Sequence, residues 1–226
     1  MFPKIFLALH IPDGFISVPV AAVGWALMIS MITLALRQTR DQFGDQSGGQ
    51  SGDQKVPLMG ILAAFVFAAQ MINFPVAGGT SGHLLGGTLV AILLGPWAAV
   101  LVMTSVVSIQ ALLFQDGGLL ALGFNVFNMG ILTGFTGYTI YQWLRRALRR
   151  VPRGEVVAAV VAAWVSVEAA ATATALQLAI SGTSPLNIAL PPMVGVHALI
   201  GIGEALITAG ALTFIQQTRP DLIAGS

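Results

Sequence analysis

The 226-residue chain is 56% hydrophobic and only 8% charged, against roughly 25% charged in an average soluble domain. Ten Lys/Arg and nine Asp/Glu cannot cover the surface of a soluble globule of this size, so the chain belongs in a lipid bilayer. A net charge of +1 leaves no basic field for nucleic acid. With no cysteine, disulfides, thiolate metal sites and thiol nucleophiles are excluded, and metal or proton chemistry falls to oxygen and nitrogen donors, including three histidines.

Apolar runs bounded by charge, Gly/Pro or Asn/Asp predict an all-α polytopic membrane helix bundle of about seven transmembrane helices, over 18–36, 56–74, 84–94, 97–114, 122–143, 156–180 and 193–215. The third run is short and ends at Gly95-Pro96, so it could instead merge with the fourth into one kinked span. The segment 37–55 (RQTRDQFGDQSGGQSGDQK) is expected to be a flexible polar linker, and 181–192 a loop closed by Pro191-Pro192. Residues 9–216 then form a single transmembrane domain, 217–226 a tail, and 1–8 a doubtful N-terminal extension.

Orientation follows from the positive residues. With seven spans, Arg37, Arg40, Lys55, Arg145, Arg146, Arg149, Arg150, Arg153 and Arg219 all fall on one side, the cytoplasmic one. That arrangement puts the linker and C-terminus in the cytoplasm and the N-terminus outside. Merging the third and fourth runs would split the positive residues between both faces. The arginine cluster at 145–153 is either a solvated run that sets topology or a docking surface.

His10, in LHIPDGFIS, and His83, in FPVAGGTSGHLLGG, then share the outer face. Two neutral imidazoles on one face can share a metal, and the glycines around His83 would seat its ring closely. The alternative is an interfacial His10 beside packing glycines. His197 and Glu204 lie two helical turns apart on one face of the last span, and Glu168 lies within the sixth. These groups are either a second metal or proton site or a buried network, pairing His197 or Asn128 with a glutamate, that fixes helix packing. Gln70, Asn73, Gln110, Asn125 and Asn128 fit hydrogen bonds between helices. Met28, Met31, Met59, Met71, Met103 and Met129 read as core filler. No GxxxxGK[ST], HExxH or GxSxG occurs, so an enzyme is not expected and any ATP hydrolysis belongs to another subunit.

At HIPDGFIS, VPLMGILAAFVFAAQMINFPVAGGTSGHLLGG, LLGPWAAVLVMT, QALLFQDGG and HALIGIGEALIT the chain resembles the CbiM/NikM family, the metal-capture membrane components of energy-coupling-factor nickel and cobalt transporters. The resemblance implies seven helices in a bacterial cell (inner) membrane that bind Ni²⁺ or Co²⁺ as transported substrate, with no organic cofactor. Implied partners are a transmembrane coupling subunit, two ATP-hydrolysing subunits and a small accessory membrane protein. The implied ligands are four nitrogens: the amine of an initiating Met at position 9, the amide and imidazole of His10, and the imidazole of His83. Fused chelate rings of this kind, with four nitrogens in a plane, suit Ni(II) or Cu(II).

Asp13, Gly14, Ser81 and Gly82 are expected to support that site. As written, Leu9 is internal and offers an amide. The expectation is either translation from position 9, at a leucine codon read as Met, or removal of the preceding segment as a leader. A different class of reading is a secondary metal or proton transporter using Glu168, His197 and Glu204 as a relay.

Overall fold

The structure, a computed structural model, describes residues 9–44, 50–71, 74–76, 80–219 and 222. Its elements are α1 (Val18–Gly44), α2 (Gln50–Met71), a short antiparallel hairpin of β1 (Phe74–Val76) and β2 (Thr80–Gly82), α3 (Gly87–Leu94), α4 (Pro96–Leu113), α5 (Leu122–Val126), a π-helical stretch Phe127–Leu132, α6 (Thr133–Ala147), α7 (Gly154–Ile180) and α8 (Leu186–Thr218). The helical class expected from the apolar runs is therefore found, with the hairpin as its one departure among the described residues. Four helices, α1, α4, α7 and α8, are long and apolar enough to cross a membrane.

The core is organised around α3. Every residue from Gly87 to Leu94 is buried, as an all-round apolar helix requires. Two glycines let its neighbours reach it: a Cβ on Gly87 would strike the Thr133 hydroxyl, and one on Gly137 would strike Thr88. The Thr88 hydroxyl donates to the Thr133 carbonyl (3.1 Å) and shares a hydrogen bond with Ser166 (2.7 Å), stitching α3 to α6 and α7. Gly95, with φ of 89°, separates α3 from α4, and Pro96 opens α4 at a position where its missing N–H costs nothing. The two helices stay distinct, as the split reading expected. At eight residues α3 is about 12 Å long, well short of a hydrocarbon core of about 30 Å.

Three expectations need correction. The polar segment 37–55 is helical at both ends: α1 runs to Gly44 because RQTRDQF contains no Gly or Pro, and α2 starts at Gln50. The Lys55 ammonium lies 5.1 Å from the Phe43 ring centroid, so the two ends touch; 45–49 lie outside the described residues. Pro191 and Pro192 lie inside α8 rather than closing a loop. Their fixed φ is helical, and the loss is confined to two acceptors near the helix start. Finally, Asn128 meets no glutamate. Within the π-helical stretch it donates to Gln177 (2.7 Å) and Thr174 (3.0 Å) and accepts from Gln177 (2.8 Å).

The ends of the bundle differ in character. One gathers the segment before α1, the hairpin, the loop 114–121 and the turn before α8, where the Thr183 hydroxyl donates to the Phe15 carbonyl at 2.5 Å. The other gathers Gly95 beside Gln42 and Glu155 between Arg145 and Gln216. The helix starting that first end is tight: a Cβ on Gly123 would run into the backbone of Gly24 and Trp25. Gly123→Ala should force α1 off α5 and cost about 1–3 kcal/mol, read as a lowered thermal midpoint in detergent, whereas Gly210→Ala, whose Cβ meets nothing within 4 Å, should leave the midpoint unchanged or slightly raised.

Candidate metal centre

Residues 9–16 carry no helix, so their peptide groups need partners elsewhere. Asn125, at the start of the α5–α6 rod, supplies them: its Oδ1 accepts the Ile11 N–H (2.9 Å) and its Nδ2 donates to the Ile11 carbonyl (3.1 Å). The same carbonyl accepts the Gly118 N–H at 2.9 Å. Two residues on, Asp13 accepts N–H bonds from Leu119 (3.0 Å) and Leu120 (2.8 Å) just ahead of α5. Gly14, with φ of 89°, then turns the chain toward α1. The facing loop can approach because Gly117 (φ 92°) and Gly118 lack side chains: a Cβ on either would meet Asn125 or Asp13.

This clamp buries Leu9 and His10, at 2% and 3% exposure. The His10 ring lies against His83, with centroids 4.9 Å apart and planes at 67°. His10 Nδ1 faces the Asp116 carbonyl at 3.3 Å and its carboxylate at 3.6 Å, and Nε2 is buried with no hydrogen-bond partner among the described residues. Burial, then the neighbouring His83, holds the His10 pKa down to about 4, with Asp116 pulling the other way. The imidazole is therefore neutral at physiological pH, the form that binds metal.

His83 follows β2, in which Ser81 and Gly82 pair with Pro75 and Phe74. Its Nδ1 lies 2.9 Å from the Leu84 carbonyl, to which it donates. The next peptide groups are held from two helices. The Glu204 carboxylate, 1% exposed on α8, accepts the N–H of Leu85 (2.7 Å) and of Gly86 (2.9 Å). Gln70 of α2 donates to the Leu85 carbonyl (2.7 Å) and accepts from Gln110 of α4 (2.8 Å). His197 is buried two turns before Glu204, donates from Nδ1 to the Met193 carbonyl (2.7 Å) and is close enough to His83 to interact with it electrostatically.

The structure thus brings His10 and His83 together, with Asp13 and Gly14 shaping one side and Glu204 the other. His197 and Glu204 share a face but Glu204 bonds backbone, so the expected pairing of a glutamate with His197 or Asn128 is not what is found. Glu168 stands apart on the stripe of α7 that includes exposed Val161, Trp164 and Leu176, and its Oε1 has no hydrogen-bond partner among the described residues. Among those residues no three His, Asp or Glu side chains converge as a ready metal cage, so a metal between the histidines would need main-chain nitrogen as well. Asn125 was expected to join helices and instead clamps a backbone. Asp116, beside His10, carried no sequence signal beyond its place in the QDGG turn. Asn73 and residues 1–8 lie outside the described residues.

Membrane-length apolar helices with a buried His10 against a half-buried His83 at one end define a polytopic membrane protein with paired imidazoles. The chain belongs to the CbiM family, described as the cobalt uptake substrate-specific transmembrane region, which it matches over residues 10–222. It is 42% identical to a putative metal transport protein of Haloquadratum walsbyi, over 95% of this chain and 93% of that one. It is 41% identical to a putative fused nickel transport protein NikMN of Archaeoglobus fulgidus, over 95% of this chain and 68% of that one. The crystal structure of a truncated transition metal transporter superposes with a TM-score of 0.78 at 36% identity, covering 92% of this chain and 98% of the other.

Two outcomes follow from the clamp. Undocked, His10 titrates near 6.5, and docked it titrates at about 4. Between those values the undocked segment takes up a proton that the docked one refuses, so docking weakens as pH falls, by up to about 3 kcal/mol. Hydrogen exchange at the Ile11 amide of metal-free protein, corrected for its intrinsic rate, should rise through that window, and should not in His10→Asn. Glu204→Gln puts an amide NH₂ against a peptide N–H; it should weaken metal binding about 10- to 100-fold in a Ni²⁺ titration.

Proposed function

We propose that this chain is the substrate-capture component of an energy-coupling-factor transporter, taking Ni²⁺ or Co²⁺ at its outer face for ATP-driven import. The observation that carries the reading is the His10–His83 contact, with His10 buried and neutral and both residues held by backbone clamps at one end of the bundle. The family relationship supports the same reading, since its named relatives include a cobalt transport protein CbiM of Sorangium cellulosum, 34% identical over 95% of this chain and 94% of that one. A transmembrane coupling subunit, two ATPase subunits and a small accessory membrane protein would complete the transporter.

The orientation follows the charge. α3 bridges part of the bundle between Leu84, beside the histidines, and Gly95, beside Gln42 at the other end. Counting it as one of seven crossings puts the histidine end outside, the arginine cluster and C-terminus in the cytoplasm, and so satisfies the positive-inside rule.

The donors would be the nitrogen of Leu9, the amide and imidazole of His10, and His83. The His10 amide nitrogen, Cα, Cβ, Cγ and Nδ1 close a six-membered ring on a metal, so loading takes Nδ1 from its long contact with Asp116. Since Nε2 has no partner among the described residues, turning the ring over strands no hydrogen bond among them. Leu9 fills a pocket that Met fits with little strain. A relay through Glu168, His197 and Glu204 is less favoured, because Glu204 is engaged by two peptide groups and Glu168 lies apart from it.

A calorimetric titration with Ni²⁺ and Co²⁺ tests this on two forms, the chain as written and one beginning with Met in place of Leu9. Tight binding by the second form, lost in His83→Ala, is the expected result, and equal binding by both removes the amine from the ligand set. If neither form binds, the capture reading fails.

A further inference from the structure

At the end of the bundle opposite the histidines, α6, the turn after it, α7 and α8 enclose an open cleft of about 820 Å³. Its donors come from one face of α6 and its continuation, Gln142, Arg145, Arg146 and Arg149, at the i, i+3, i+4, i+7 spacing of a single helix side, joined by Arg153 and Gln216. One acid lines it, Glu155, and that carboxylate is already engaged: Arg145 Nε donates to Oε1 at 2.7 Å and Gln216 to Oε2 at 3.0 Å. Arg146, Arg149 and Arg153 make no ion pair among the described residues, and their side chains are exposed. Four guanidinium groups around one neutralised acid leave a concave site with unmet demand for an anion.

The depth of the cleft narrows the choice of anion. It lies just past the apolar stretch of α6 and just before that of α7, where Val156 begins an unbroken apolar run. Trp143, 68% exposed one residue from Gln142, has the place of an aromatic at the membrane–water boundary. Leu148 and Val151 give the wall an apolar part. A rim of guanidinium over an aliphatic wall at headgroup level matches a phosphodiester that carries acyl chains; guanidinium grips phosphate oxygens in pairs. A dissolved anion would use only the rim.

We propose that this cleft binds the headgroup phosphate of an anionic phospholipid, held by Arg146, Arg149 and Arg153 with Glu155 fixing Arg145 as the floor. In the cell this rests on the cytoplasmic placement proposed above for this end, the leaflet where anionic lipid concentrates; binding in detergent does not depend on that placement or on metal capture.

The test uses the full chain in a neutral detergent, with lipid retention read by native mass spectrometry and stability by thermal midpoint. Phosphatidylglycerol should stay bound and raise the midpoint, phosphatidylcholine should do neither, and salt should erase the difference. The R146Q/R149Q/R153Q variant should lose about a hundredfold in phosphatidylglycerol affinity, three charges at about 1 kcal/mol each converted at 1.4 kcal/mol per tenfold. R146K/R149K/R153K keeps charge and loses the paired grip, so a folded protein with intermediate affinity supports the geometry even if the glutamine variant does not fold. Equal retention of the two lipids by wild type, or undiminished phosphatidylglycerol binding in a folded lysine or glutamine variant, overturns the proposal. A midpoint shift of the same size with inorganic phosphate alone overturns the lipid assignment in favour of a free anion.

Discussion

Peptide groups that leave a helix inside a membrane bundle have no water to turn to, and in this protein side chains take water's place. Ile11 is satisfied on both its N–H and carbonyl by one asparagine, Asn125. Leu85 and Gly86 are satisfied by one carboxylate and one amide, Glu204 and Gln70. Each unmet bond of this kind would cost roughly 1–3 kcal/mol, so these contacts decide where the non-helical chain can lie. Both histidines are attached to such stretches, His10 next to Ile11 and His83 two residues before Leu85, and their separation is set by these backbone clamps.

That arrangement explains why polar residues recur at depth in so apolar a chain. Gln110 bonds Gln70, which bonds Leu85; Asn128 and Gln177 bond each other reciprocally across the π-helical stretch. Small residues do complementary work. Gly87 and Gly123 let neighbouring backbone come into contact and Gly137 admits the Thr88 side chain, the close van der Waals packing that lipid needs in place of a hydrophobic drive. A widened helix turn at Asn128 leaves its amide facing α7.

Much of this was legible in the sequence because bilayer thickness imposes run length. The apolar runs found α4, α7 and the continuous α5–α6 rod, and Gly95-Pro96 marked a true break. The failures have local causes. RQTRDQF is polar yet made of residues that continue a helix until Gly44, so polarity alone does not mark a linker. Pro191-Pro192 lies early in α8, where the lost hydrogen bonds are few. At the site, residue type and side of the membrane singled out His10 and His83. The clamp was not readable: Ile11 and Asn125 are 114 positions apart, and nothing in local spacing encodes which buried amide meets which strand of backbone. Glu204 was noticed for its charge, while its partners, two main-chain N–H groups, carry no residue identity at all.

The two rings stand on unequal foundations. His83 precedes α3, a helix buried along its whole length, and is moored to α8 and α2. His10 precedes α1, a helix of 27 residues of which only Ala21, Gly24, Met28, Ala35 and Thr39 are buried. What holds His10 is therefore Asn125 and the loop ahead of α5, and parting the two imidazoles means breaking the Ile11–Asn125 pair and the Asp13 bonds to Leu119 and Leu120. The pair is a clasp with one half moored to α2 and α8 and the other to α5 and the loop before it, so freeing His10 need not disturb His83.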